Sequence, residues 1–364
     1  MSIDRRVLAN VDWLLVGTSL LLALVGVATI ASVTRSGPAE GLYLKQLSMV
    51  GAGLVILLVS LTVDYRRLVD RSPLLYLATI GALGYVLVFA KVVAGTNRWI
   101  SIAGFRLQPS EFAKLATALL MARIFAGSRK ETLGIVDLLG PGSAVAVLVL
   151  LIAAQPDLGT AICLIPIFFT VAFLAGLRPK AILWLFVAMT IVGGLGWQYA
   201  LRDYQKSRIY TFLDPSLDPM GAGYQKIQSE IAVGSGGLFG KGFGEGSQSQ
   251  LGYLPARQTD FIFSVLAEEL GFAGVAAVLG LYLVLFWRSF EAALAARDRA
   301  GAFLAAGVAS VLAFQVVYNV AMVAGLVPVK GLPLPLMSYG GSSLLSSLLG
   351  IGLILNVRMR RFAN

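Results

Sequence analysis

The sequence predicts an all-α polytopic membrane protein of about ten transmembrane helices, with a large extracytoplasmic loop between the seventh and eighth and both termini cytoplasmic. Three observations carry this. The 364 residues are 57% hydrophobic and 13% charged, with a mean hydropathy of +0.82, beyond the range of soluble globular domains. Apolar runs of bilayer-spanning length, about 20 residues each, recur along the chain. The charge of +10 is spread over short loops between these runs, which fits topology signals and anionic headgroups and speaks against a nucleic-acid partner.

The apolar runs cover approximately 12–33, 45–63, 73–92, 109–126, 138–154, 157–176, 180–200, 260–287, 301–325 and 340–357. The first follows a basic head, Arg5 and Arg6, without a small-residue cleavage site, and is read as a retained anchor. Alternate loops carry Arg5/Arg6, Arg66/Arg67/Arg71, Arg123/Arg129/Lys130, Arg178/Lys180, Arg288/Arg297/Arg299 and Arg358/Arg360/Arg361, more than half of the 29 basic residues. The positive-inside rule places these loops in the cytoplasm and sends 34–44, 93–108, 155–156, 201–259 and 326–339 outward. Residues 1–364 read as one integral membrane domain, with 201–259 a loop inside it. Within that loop, 224–233 has apolar residues at helical spacing suited to a membrane surface, and 234–246 is glycine-dense. The glycine run lacks the spacing of a phosphate loop and is read as a flexible or re-entrant segment.

The chain has no histidine and one cysteine, Cys163, inside an apolar run. Histidine triads, histidine zinc sites and an internal disulfide framework are thereby excluded, and acid–base chemistry falls to carboxylates. The most suspicious carboxylate is Asp260, where a long polar segment meets an apolar helix: a charge so placed is expensive without a role. It is read as a catalytic base, with a helix N-cap as the alternative. Glu268, eight residues on, is about 12 Å deeper and suits a cavity floor or a bond to a neighbouring helix, while Glu269 points the opposite way. Glu111 and Lys114, three apart behind Pro109, share a face, either as a plain helix-start pair or as the charged wall of an outward cavity. Asp157, behind Pro156, fits an N-cap or a cavity residue equally. Gln315 and Asn319 suit interhelical hydrogen bonds.

The stretches LDPSLDPMGAGYQKIQSEIAVGSGGLFGKGF, LPARQTDFIFSVLAEELGF and PVKGLPLPLMSYGGSSLL, in this order, resemble the SEDS family (shape, elongation, division and sporulation proteins) over nearly the whole chain. SQSQLGYLP and VLAEELGF are nearer its elongation branch, RodA, and VKGLPLPLMSYGG nearer its division branch, FtsW. The resemblance implies a peptidoglycan glycosyltransferase of the bacterial cytoplasmic membrane. It would polymerise lipid II at the outer face and work with a class B penicillin-binding protein through transmembrane helices. Asp260 corresponds to the family's essential loop aspartate. Arg98, Trp99, Glu111, Lys114, Asp157 and Glu268 fall at its cavity positions, and Lys45 and Arg208 at basic positions suited to pyrophosphate. Where the family has His-Thr-Asp this chain has Gln258, so a histidine there is dispensable if the protein is active. A divalent cation, Mg²⁺ or Mn²⁺, bound with the substrate pyrophosphate is the one cofactor this chemistry admits, with no protein ligand named. A lipid II flippase and a non-catalytic scaffold for the penicillin-binding protein are the rival functions.

Overall fold

The computed structural model describes residues 11–34, 40–89, 98–102, 105–200 and 203–362. Arg5 and Arg6, part of the topology argument, lie outside them. The chain is mostly helical: α1 (Trp13–Val33), α2 (Leu42–Thr62), α3 (Tyr65–Asp70), α4 (Ser72–Phe89), α5 (Pro109–Gly127), α6 (Ile135–Ala154), α7 (Leu158–Leu174), α8 (Pro179–Leu195), α9 (Asp203–Leu213), α10 (Ala222–Ser235), α11 (Ile262–Leu294), α12 (Arg299–Val323) and α13 (Gly341–Met359). Seven of these, α1, α2, α4, α6, α11, α12 and α13, are long and apolar enough to cross a membrane, and α7 is apolar but shorter, at 17 residues.

Local chemistry sets the helix starts. The carboxylates of Asp12, Asp64, Asp157 and Asp298 accept backbone N–H bonds from Leu15, Arg66, Thr160 and Gly301 at the beginnings of α1, α3, α7 and α12, and Pro109 opens α5 where its missing N–H is harmless. The outward segment before α5 contains an element the composition did not suggest, an antiparallel pair of three-residue strands, β1 (Ile100–Ile102) and β2 (Phe105–Leu107), with Ile100 opposite Leu107.

α12 and α13 form the centre, packed against α2, α5, α7 and α11. Small residues allow the close approaches: a Cβ on Gly53 would meet the Leu348 side chain at 2.3 Å, and one on Gly352 would meet Ser60 Oγ at 2.1 Å. At the end of the bundle where Asp12 lies, its carboxylate is shared by Arg288 Nε and Arg358 Nη1, both at 2.9 Å, while Glu291 also receives both arginines. These bonds join the start of α1 to the ends of α11 and α13.

The glycine-dense segment is neither a free loop nor a phosphate cradle. It packs on a break in α11 at Gly271, whose φ of 64° and ψ of −163° are non-helical. Lys241 N and Gly242 N donate to the Glu268 and Glu269 carbonyls, and Phe272 N and Ala273 N donate to those of Gly237 and Leu238. Glycine is required by contact distance: a Cβ on Gly240, at φ 78°, would lie 2.1 Å from Glu269 O. The glycines therefore serve backbone-to-backbone packing.

Candidate active site

Asp260 lies two residues before α11, at the end of an irregular segment turned by Ala256 at φ 52°. Thr259 N and Phe261 N donate to Ala256 O, which closes the turn. The turn is fastened to the long segment between α12 and α13. Asn319 Nδ2 donates to Asp260 O (2.9 Å) and Leu332 O (2.8 Å), Ser338 Oγ donates to Thr259 O, and Tyr339 N donates to Gln258 O. That long segment is held in turn by Tyr318 Oη on Pro328 O, Tyr282 Oη on Pro335 O and Gln46 Nε2 on Ser338 O. The backbone of the site is thus pinned from α2, α11 and α12.

The Asp260 carboxylate, by contrast, receives no protein hydrogen bond among the described residues. The N-cap alternative fails, because the N-cap position of α11 is Phe261 and no side chain caps the helix. The side chain is partly buried against Gly331, where a Cβ would come within 2.9 Å of Oδ2. Burial pushes its pKa up to about 6; Arg98 and Arg208 pull downward and Asp157 adds to the rise. A carboxylate that is desolvated, free of donors and overlooked by two guanidinium groups can take a proton and stand beside an anion.

The surrounding residues divide into three groups. Arg98 lies 3.5 Å from Asp157, whose buried carboxylate also receives Gln108 Nε2 and Thr160 Oγ1 at 2.9 Å and accepts from Thr160 N, as the N-cap reading of Asp157 expects. Trp99 is next to Arg98 and half-buried. Arg208, on α9, donates Nη1 to Val329 O at 3.0 Å. Arg98, Asp157 and Arg208 act electrostatically on Asp260.

The second group is buried within the bundle. Lys114 Nζ bonds Glu111 Oε2 at 2.8 Å and Gln315 Oε1 at 3.3 Å, and Ser346 Oγ donates to Glu111. Both charged side chains are under 5% exposed. The pair is a buried bridge among α5, α12 and α13 and corrects the expectation of an open cavity wall.

The third group lies elsewhere. Glu268 is fully buried and accepts from Lys241 Nζ (2.8 Å), Gln248 N (2.9 Å) and Ser249 N (3.0 Å). It anchors the glycine-dense segment and does not form a cavity floor beneath Asp260. Glu269 accepts from Ser32 Oγ of α1 at 2.5 Å, on the opposite side as helical geometry predicts. Lys45 is exposed on the first turn of α2 and its ammonium has no partner among the described residues. Among those residues no three carboxylate, cysteine or histidine groups converge as a metal cage. Among the described residues the side chains do not by themselves make such a cage.

Sequence reasoning passed over Lys330, half-buried beside Arg208, because it lies in a proline- and glycine-rich run without helical periodicity. The spacing of Asn319 from Gln315 predicts a helix-to-helix contact; that its amide holds the Asp260 backbone has no signature in spacing.

A family model described as "Cell cycle protein", named for FtsW, RodA and SpoVE, matches residues 7–362. The chain is 40% identical over 351 residues to the peptidoglycan glycosyltransferase MrdB of Escherichia coli K12, covering 94% of this chain and 92% of that one. Among solved structures, a chain of a peptidoglycan synthase complex that coordinates polymerization and crosslinking is 36% identical, with a TM-score of 0.83 and coverage of 97% and 99%. The rod shape determining protein RodA of Thermus thermophilus is 31% identical, with a TM-score of 0.72 and coverage of 97% and 98%.

Proposed function

This chain belongs to the FtsW/RodA/SpoVE family and is a peptidoglycan glycosyltransferase of the RodA type, a multi-pass membrane enzyme of cell elongation; from that premise we propose that it polymerises lipid II with Asp260 as the base. The observation that carries the assignment is the Asp260 carboxylate, free of hydrogen-bond donors among the described residues and partly buried with Arg98 and Arg208 acting on it. Lipid II bears its sugar α-linked to a lipid pyrophosphate, and the polymer bond is β-1,4. One in-line displacement with inversion is therefore sufficient, and no protein nucleophile is needed. Asp260 takes the proton from the acceptor 4-hydroxyl as that oxygen attacks the donor anomeric carbon. The bond from that carbon to the pyrophosphate oxygen breaks, and the pyrophosphate leaves with the electron pair toward Arg98 and Arg208. A pKa near 6 leaves the base ionised at neutral pH yet more basic than an ordinary aspartate. No step is assigned to a divalent cation: one that acted here would bring its ligands largely from substrate oxygens and water.

The topology that serves this chemistry has ten crossings within one domain of residues 1–364, both termini cytoplasmic, and residues 201–259 and 326–339 on the outer face with Asp260 beside them. The basic loops and the apolar runs support it. A class B penicillin-binding protein is the partner that would cross-link the product, in keeping with the synthase complex that the chain resembles. Purified protein with that partner, given labelled lipid II, should yield glycan chains, and Asp260→Ala should yield almost none. Normal polymerisation by the variant would remove Asp260 from the chemistry.

A further inference from the structure

At the far end of α11 from Asp260, an apolar cavity opens on the flank of the bundle among α7, α8, α11 and α12. Its volume of about 530 Å³ falls within the range of about 300–1,000 Å³ typical of small-molecule sites. Ile182 and Phe290 are exposed at its mouth, Ala306 is buried at its floor, and Thr170 is the only lining residue with a polar side-chain atom. The protein does little to fill this space: α8 packs on the bundle mainly through α6, and most of its described side chains are exposed.

The connections at this end of the cavity carry positive charge. Arg178 and Lys180 stand between the lining residues Leu177 and Ile182, and Arg297 and Arg299 follow the lining residue Leu294. The segment joining α5 to α6 holds both strands of this rim, since Arg178 Nε donates to Thr132 Oγ1 and Arg299 Nη1 to Ser128 O, each at 3.1 Å. These partners are neutral and leave both guanidinium charges uncompensated. Of the neighbouring carboxylates, Asp137 pairs with Lys130, Asp298 pairs with Arg66, and Glu131 is exposed. An apolar cleft under a cationic rim, in a protein that lies in a bilayer, is complementary to a molecule with an apolar chain and an anionic head. A partner helix, about 10–12 Å across with its side chains, would rest on the mouth and leave the floor unfilled.

We propose that this cavity is a binding site for one anionic phospholipid, with an acyl chain in the cleft and the phosphate against Arg178, Lys180 and Arg299. The chain supplies α8 with dispersion contacts toward α11 and α12 that the protein side chains do not make.

The test is lipid binding to the full chain, delipidated in detergent and followed by native mass spectrometry, with dioleoyl phosphatidylglycerol, dioleoyl phosphatidylcholine and glycerol 1-phosphate as probes. Wild type should hold a single phosphatidylglycerol about ten-fold more tightly than phosphatidylcholine. Joint replacement Arg178→Gln and Lys180→Gln should abolish that preference, and Thr170→Phe, which fills the cleft, should weaken both phospholipids about ten-fold. Equal affinity of wild type for the two phospholipids marks ordinary surrounding lipid and overturns the site, as does wild-type phosphatidylglycerol affinity in either variant. Glycerol 1-phosphate bound as tightly as phosphatidylglycerol marks a bare anion site and also overturns it. Should Thr170→Phe fail to fold, the exposed double variant and the headgroup probe decide: loss of the preference with weak glycerol 1-phosphate binding supports the site, and a retained preference overturns it. Release of bound phosphatidylglycerol by a full-length class B penicillin-binding protein gives the cleft to a partner helix, and a wild-type dimer that Thr170→Phe dissolves gives it to a second copy of this chain; either result overturns the proposal.

Discussion

Asp260 is unusual in what its surroundings withhold. The turn around it is closed by backbone bonds and tied to α12, yet no N–H or O–H reaches the carboxylate among the described residues. Its raised pKa sets two outcomes of opposite sense. As a base it must be ionised, so the polymerisation rate should climb as pH rises through about 6 and level off above 7; a rate flat from pH 5 to 8 would contradict the assignment. For stability the sign reverses. The folded state binds the proton more tightly than the unfolded chain, so this group favours folding below the ordinary aspartate value and loses that contribution as pH rises to about 6. At pH 7.5 Asp260→Asn should therefore raise thermal stability, by about 1–2 kcal/mol once solvent screening of a partly exposed group is allowed for. The same variant should lose roughly 10²-fold or more in polymerisation. A variant that is less stable and inactive would indicate a structural aspartate. That Asp260 merited attention was legible from a carboxylate at an apolar boundary in a chain without histidine. That no described residue would bond its carboxylate was not, because hydrogen-bond partners come from segments 59 and more residues away.

At the scale of elements, helix starts were readable from their aspartates and prolines, and the apolar runs from their length. The function of the glycine-dense segment was not readable, because composition reports backbone freedom and says nothing of what approaches the backbone. The structure uses Gly240 and Gly271 to bring two segments together and uses Glu268 to fasten the turn that follows. Glu268→Ala would leave the Lys241 ammonium and two backbone N–H groups without their acceptor. We expect a loss of about 2–4 kcal/mol in thermal stability and faster proteolysis within 236–250. Gly240→Ala should act on the same contact by steric means, with a comparable loss, since its φ is positive and the new methyl would meet the Glu269 carbonyl. Unchanged protease susceptibility in both variants would mean that the segment is held by other bonds.

Across the whole molecule, the site and the ion network around Asp12 occupy separate parts of the fold. The sequence made a helical membrane bundle legible because lipid demands long apolar helices, but which helices meet depends on pairings such as Gly53 with Leu348 that follow no local pattern. By sequence Arg358 is a topology charge, yet its side chain is nearly buried and bridges Asp12 and Glu291. That separation makes stability and chemistry experimentally divisible. Arg358→Leu keeps an apolar side chain against the bundle and removes one of the two arginines on Asp12, leaving Arg288 at 2.9 Å. With one partner retained the loss should be about 1–3 kcal/mol, short of that for an unpaired buried charge. No bond of this network touches Asp260, Arg98, Arg208 or Lys330. Thermal unfolding in detergent should therefore shift down while turnover per folded molecule, measured well below the transition, stays within about two-fold of wild type. A drop in turnover equal to that of Asp260→Ala would show that the two parts of the bundle are coupled through α11 or α13.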